Sequence, residues 1–294
     1  MPPALATTPP VTGTALASLL GTYSFEMTAK DIPDLERAAH CIPKGTRISV
    51  TFLPGEDAKA RLTAAMAVRR LGFVPVPHIS ARRLGSAAEL ESFLESLAEL
   101  AYADHAFVIA GDLPQAAGPY ADALAIIRSG LLEKYGFKHV GISGYPEGHP
   151  GIADDALWRA MLDKRDELAA RGLDASIMTQ FGFDAERILV WLQQLRERDV
   201  TLPAWVGVSG PASVRTLLKY AARCGVGASA KVMSKYGLSL TKLLNTAGPD
   251  PLILELAQGL DTADLGKVHL HFYAFGGFTK TIDWVTRFKQ EHAI

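Results

Sequence analysis

The chain has 294 residues, of which 48% are hydrophobic and 21% charged, with a formal net charge of -1. That length suits a single α/β barrel and that hydrophobic content buries a large core, while the near-balance of charge offers no basic stripe for nucleic acid. Two cysteines, Cys41 and Cys224, are too few for a disulfide framework or a thiolate zinc site, and a reducing cytoplasm is the expected compartment.

Residues 1–20 read as an N-terminal arm. Met1 to Gly13 is rich in Pro, Thr and Ala without a basic leader. The apolar run Ala15–Leu20 is too short to span a membrane, and is expected as a short helix over the bottom of the fold. From residue 21 onward, brief runs rich in Val, Ile and Phe alternate with longer amphipathic segments. The strands are expected at Thr22–Glu26, Arg47–Phe52, Phe73–His78, Ala106–Ile109, His139–Ser143, Ala175–Thr179, Ala204–Val208 and Val268–Phe272. Helices are expected at Ala58–Leu71, Ala87–Tyr102, Tyr120–Tyr135, Ala153–Arg171, Asp184–Arg198 and Ala212–Cys224, with glycine stops at Gly172 and Gly225. Between Gly225 and Lys267 the pattern turns helical without a convincing strand, which reads as an insertion before the last strand. Eight strands with intervening helices, and no glycine-rich dinucleotide turn after the first, point to a single-domain (β/α)8 barrel over residues 21–294.

Polar residues fall at the strand ends. Glu26 closes the first strand, Thr51 the second and His78 the third. Asp112 follows the fourth, Tyr145 the fifth and Gln180 the sixth. In a parallel barrel these ends share one mouth, where active sites are built. The turn Gly111-Asp112-Leu113-Pro114 holds a carboxylate rigidly, and the loop Tyr145-Pro146-Glu147-Gly148-His149-Pro150 suits a planar, phosphorylated ligand. The bland readings are a strand-end carboxylate paired with a core Arg or Lys for Glu26, an Asx turn cap for Asp112, a satisfied strand-end residue for Gln180, a packed loop histidine for His78 and a loop-fixing one for His149. His269 and His271 alternate on one face of the last strand, but no third ligand points to a metal. Trp158, Trp191, Trp205 and Trp284 read as helix–barrel packing, and the helical Lys and Arg as solvated faces.

Ser24-Phe25-Glu26, Pro77-His78-Ile79-Ser80, Gly111-Asp112-Leu113-Pro114, Tyr145-Pro146-Glu147-Gly148-His149-Pro150 and Thr179-Gln180-Phe181-Gly182-Phe183-Asp184 resemble motifs of the methylenetetrahydrofolate reductase family, in its order and spacing. The resemblance implies reduction of 5,10-methylenetetrahydrofolate to 5-methyltetrahydrofolate by NADH or NADPH through FAD. Glu26 matches the general acid that protonates the pterin side so that the methylene bridge opens to an iminium; desolvation at an apolar barrel mouth is expected to raise its pKa, and a neighbouring negative Asp112 to raise it further. Asp112 matches the carboxylate that holds the pterin, Gln180 the amide that binds folate, and Phe275 falls on the folate side. Thr51, His78, Ser143, Tyr145 and His149 match flavin-lining positions. The implied partners are small folate and nicotinamide substrates, with neither nucleic acid nor membrane, and a homo-oligomer is left open.

Two positions depart from the family pattern. Ala110 stands where the family has an arginine before the Gly-Asp-Leu-Pro turn, and Ala169 where it has a lysine near the flavin phosphates. Each lost charge-assisted bond is worth roughly 1.5–3 kcal/mol in favourable settings. FAD is therefore expected to bind weakly, or to be bypassed by direct hydride transfer. Two alternatives stay open: a folate-dependent methyltransferase barrel, and a non-catalytic subunit of a reductase complex.

Overall fold

The computed structural model describes residues 13–52, 55–226 and 246–294. Eight parallel strands close into a barrel: β1 (Tyr23–Met27), β2 (Arg47–Val50), β3 (Val74–Ser80), β4 (His105–Ile109), β5 (His139–Gly144), β6 (Asp174–Phe181), β7 (Ala204–Ser209) and β8 (Val268–Tyr273). Each pairs with its neighbours in sequence, and β8 returns to β1 with Phe25 opposite Phe272. All eight expected strands are present, each within two residues of its expected bounds. The fold is a (β/α)8 barrel.

Around the strands lie α1 (Gly13–Gly21), α2 (Ile32–Ala38), α3 (Ala58–Arg70), α4 (Ala87–Ala101), α5 (Ala123–Arg128), α6 (Leu131–Lys134), α7 (Asp154–Ala170), α8 (Ala185–Glu197), α9 (Val214–Cys224), α10 (Asp250–Thr262) and α11 (Phe278–Glu291). Side-chain oxygens start several of them by accepting orphan backbone N–H groups. Asp57 caps α3 through Ala60, Ser86 caps α4 through Glu89, and Asp122 caps α5 through Ala125. Gly225, at φ 65, ends α9 in the left-handed region. The single helix expected over Tyr120–Tyr135 is instead α5 and α6. Gly130, at φ 74, breaks the run, a conformation that favours glycine. α1 buries Leu16, Leu19 and Leu20 and packs on α10 and β8. Of the expected insertion, residues 227–245 lie outside the described residues. The rest contains α10 and a two-residue strand, Thr246–Ala247, antiparallel to Ala212–Ser213.

Two layers of side chains divide the strands by parity. Phe25, Ile48, Val108, Ile142, Ile177, Val206 and Phe272 point outward into the helix–strand core. The inward set is unusually polar for a barrel, whose interior branched aliphatics ordinarily fill. Val76, Phe107, Met178 and Trp205 form a small apolar cluster there, and Ser24, Ser49, His78, Ser176 and His271 are buried beside it. Trp205 thus packs inside the barrel, not between barrel and helices as the sequence had implied. Trp158 and Trp191 stack at 6.0 Å between α7 and α8, and Trp284 joins Phe272 and Phe288 in the outer core. Nor are all helical cations solvated. Arg61 of α3 and Lys164 of α7 are buried, Arg61 against the Phe52 and Phe93 rings.

Candidate active site at the barrel mouth

Glu26 is the next-to-last residue of β1, and parity turns its side chain into the barrel mouth. Burial pushes its carboxyl up to about 8, with a smaller contribution from Asp31, which caps the following turn through Thr28. The sequence had made Asp112 the neighbouring negative charge. Asp31 has that place, because Asp112 is 59% exposed and neutralised by Arg83. Beside Glu26 is His78, its Nε2 3.6 Å from a Glu26 oxygen. Burial, reinforced by the Arg61 charge, holds the imidazole down at about 3. Near neutral pH both groups are therefore uncharged, and the pair is a carboxylic acid beside a neutral imidazole, not an ion pair. That state costs least where water is largely excluded.

His271 continues the inward column from β8. It is fully buried, also held near 3 by burial, and its Nδ1 is hydrogen-bonded to Ser24 Oγ at 2.8 Å. Tyr273 donates its hydroxyl hydrogen to the Thr179 carbonyl at 2.9 Å. Its pKa is raised well above 10 by burial and then by Glu26, with Tyr145 and Cys224 adding to the effect. These mutual influences put Glu26, Tyr145, Tyr273 and Cys224 around one opening.

The other expected residues arrive by different routes. Asp112 follows Gly111, whose φ of 90 permits the turn, and its Oδ1 accepts from Arg83 Nε at 2.8 Å and pairs with Arg83 Nη2 at 2.7 Å. Gln180 lies at a register shift between β6 and β7. There Phe181 takes the inward direction, and Gln180 Oε1 accepts from the Phe181 N–H at 3.1 Å. Phe275 stacks on Tyr220 at 4.0 Å and on Tyr273 at 5.6 Å, with the Phe181 edge at 4.8 Å. An aromatic wall results, though a planar ligand meets Phe275 only at an edge while Tyr220 keeps that position. Thr51 follows β2 and Ser143 is the next-to-last residue of β5, at the same end of the barrel.

Tyr145 and His149 meet edge to face at 5.3 Å in the loop after β5. Glu147 anchors that loop: its Oε1 accepts from the Phe183 and Asp184 N–H groups at 2.7 and 3.1 Å. A cavity of about 350 Å3 opens beside the loop, bounded by Trp158, Trp191, Arg187 and Gln194.

Sequence reading missed Arg83 and Arg61. Arg83 lies three residues past the end of β3, in the turn at the barrel mouth, so a strand-end rule extended to the following turn would have found it. Arg61 had no such signal, since only packing brings its guanidinium over Phe52 and Phe93, at 4.5 and 4.4 Å.

These residues do not fit the phosphates of a flavin dinucleotide. Ala110 and Ala169 bring no charge. Arg82 spends its guanidinium on the carbonyls of Ala121 and Leu113, and Arg83 on Asp112. Lys164, five residues before Ala169, is buried in α7. Among the described residues no group of three or more His, Cys, Asp or Glu could hold a metal ion, and no helix is long and apolar enough to cross a membrane.

Comparison with solved structures finds an uncharacterised protein from Clostridium thermocellum described as binding two copies of 5-methyl-5,6,7,8-tetrahydrofolic acid. It is 11% identical with a TM-score of 0.60, over 95% of this chain and 98% of that one. Dihydropteroate synthases from Thermus thermophilus and Burkholderia cenocepacia are 12% and 15% identical, each with a TM-score of 0.47 over 92% of this chain and 93% and 91% of theirs. At such identities the first likeness speaks to the barrel alone. The sequence itself is more specific: a model described as methylenetetrahydrofolate reductase matches residues 24–275, and the chain belongs to that family.

Proposed function

We propose that this chain reduces 5,10-methylenetetrahydrofolate to 5-methyltetrahydrofolate with NADH or NADPH, the hydride passing directly from nicotinamide to folate. The observation that carries this reading is Glu26, a carboxyl that stays protonated up to about pH 8 at the mouth of the barrel. A general acid works best when its pKa lies near the working pH. Its proton goes to N10 of the folate as the bond from N10 to the methylene carbon breaks, which leaves an iminium at N5. C4 of the dihydronicotinamide then delivers a hydride to that carbon, giving the methyl group and oxidised nicotinamide. Glu26, now a carboxylate, regains a proton from water, to which its 18% exposure leaves access.

Neutral His78 supports this role because a charged imidazole would stabilise the carboxylate and lower the acid's pKa. Asp112, oriented by Arg83, keeps its second oxygen for the pterin ring, and Gln180 and the Phe275 wall complete the folate side. Thr51, Ser143, Tyr145 and His149 are assigned to the nicotinamide in place of a flavin. The uncharged Ala110 and Ala169 support direct transfer, and the folate named for the Clostridium thermocellum neighbour is in keeping with a folate occupant.

The test pairs the absorbance spectrum of freshly purified protein with NADH and NADPH oxidation driven by methylenetetrahydrofolate, with and without added FAD. Turnover without a flavin band, and without stimulation by FAD, is expected. A stoichiometric flavin band overturns direct transfer. No turnover under any of these conditions overturns the enzymatic reading in favour of a non-catalytic subunit.

A further inference from the structure

The opposite end of the barrel carries a polar cluster that the proposed chemistry does not use. Arg47 opens β2, His105 opens β4 and His139 opens β5, and all three face inward toward Trp205 of β7. They enclose a cavity of about 20 Å3, room for one water molecule or one monoatomic ion. Val76, Phe107 and Met178 form its apolar side.

Two buried polar groups that line this cavity have no partner, and a cation stands beside them. Trp205 is 5% exposed and Ser49 1% exposed, and neither Trp205 Nε1 nor Ser49 Oγ has a hydrogen-bond partner. An indole N–H only donates, and a buried donor left without an acceptor is costly enough to be rare. Arg47 also only donates. Its guanidinium lies 5.1 Å from the Trp205 ring centre and its Nη1 is 3.4 Å from His139 Nε2. Among the described residues no carboxylate lies within ion-pair distance of it. Asp104, the nearest negative influence, is bound to His105 Nδ1 at 2.7 Å. His139 Nε2 meets Ser176 Oγ at 2.8 Å, so that hydroxyl is already engaged.

We propose that this cavity binds a single halide ion, chloride under physiological conditions, held by Arg47, the Trp205 N–H and the Ser49 hydroxyl. An orphaned indole N–H and an orphaned hydroxyl beside a cation that lacks a carboxylate partner select an acceptor with negative charge, and the cavity's size admits one atom but not a carboxylate or phosphate. Water fits by size, but it leaves the Arg47 charge uncompensated. Arg47, His105 and His139 are each partly exposed, which leaves the ion a way in from the N-terminal rim.

Crystals soaked in bromide, with data collected at the bromine edge, test occupancy directly. An anomalous peak inside the cavity is expected, and a map without one overturns the proposal. Thermal melts in sodium chloride against sodium gluconate at equal ionic strength test the energetics. Once chloride is some tenfold above its Kd, a saturable rise of about 2–4 °C over gluconate is expected, and Arg47→Met should abolish it. Identical melts in the two salts overturn the proposal. Should Arg47→Met fail to fold, Trp205→Phe keeps the ring and removes only the N–H. That variant should show a reduced chloride effect, and an undiminished one counts against the site as described.

Discussion

Replacing Glu26 with glutamine keeps the shape of the side chain and removes its titration. Below pH 4.5 the wild-type carboxyl is protonated in both folded and unfolded chains, and its contribution to stability is fully present. Between 4.5 and about 8 only the unfolded chain releases the proton, so stability falls by about 1.4 kcal/mol per pH unit, and above about 8 the loss is complete. The ceiling is roughly 5 kcal/mol, and because 18% of the side chain meets water, about 2–4 kcal/mol is expected. Urea unfolding of wild type and Glu26→Gln at pH 5 and pH 9 measures it. The variant should gain on wild type by that amount between the two pH values. A stability gap that is the same at both refutes the raised pKa. In turnover, Glu26→Gln should lose about 10²–10⁴-fold, and wild-type kcat should fall as pH rises through about 8. Unchanged turnover removes Glu26 as the acid.

Three other substitutions test the surroundings of the site. Arg83→Met removes the partner of Asp112. The exposure of that carboxylate limits the loss of stability to about 1 kcal/mol or less, whereas KM for the folate should rise; an unchanged KM argues against a pterin role for Asp112. Glu147→Ala leaves the Phe183 and Asp184 N–H groups without their acceptor. It should cost about 1–3 kcal/mol, with faster hydrogen exchange at those two amides; unaltered exchange would show that Glu147 does not anchor the loop. Gly276→Ala puts a Cβ 1.9 Å from the Pro211 carbonyl oxygen, a backbone obstacle, and should destabilise by about 1–3 kcal/mol in thermal melts. Gly21→Ala, in open space at the end of α1, serves as the control, and a similar loss in both variants contradicts the packing seen here.

Much of this was legible in one dimension. Strand identity came from short β-branched and aromatic runs, and barrel closure from their number and alternation with helices, since a strand covered on both faces must be apolar throughout. Glu26 and His78 were legible for a related reason: a polar residue ending such a run stands where the barrel opens. Tertiary structure decided which charges meet. Asp31 rather than Asp112 influences Glu26, because the turn after β1 keeps Asp31 close in sequence and space while Asp112 is exposed and paired with Arg83. It also decided the direction of Gln180, since a register shift against β7 sends Phe181 inward. Trp205 and Arg61 looked like packing and solvent-facing residues because their alternatives depend on neighbours contributed by other strands and helices. Local periodicity determines the face a side chain takes, but its pKa and its partners depend on what the rest of the chain folds against that face. The chemistry of the mouth, with a Glu26 pKa raised by desolvation, could therefore be nominated from sequence, whereas the neighbours that set it, Asp31 and a neutral His78, became visible only in the closed barrel.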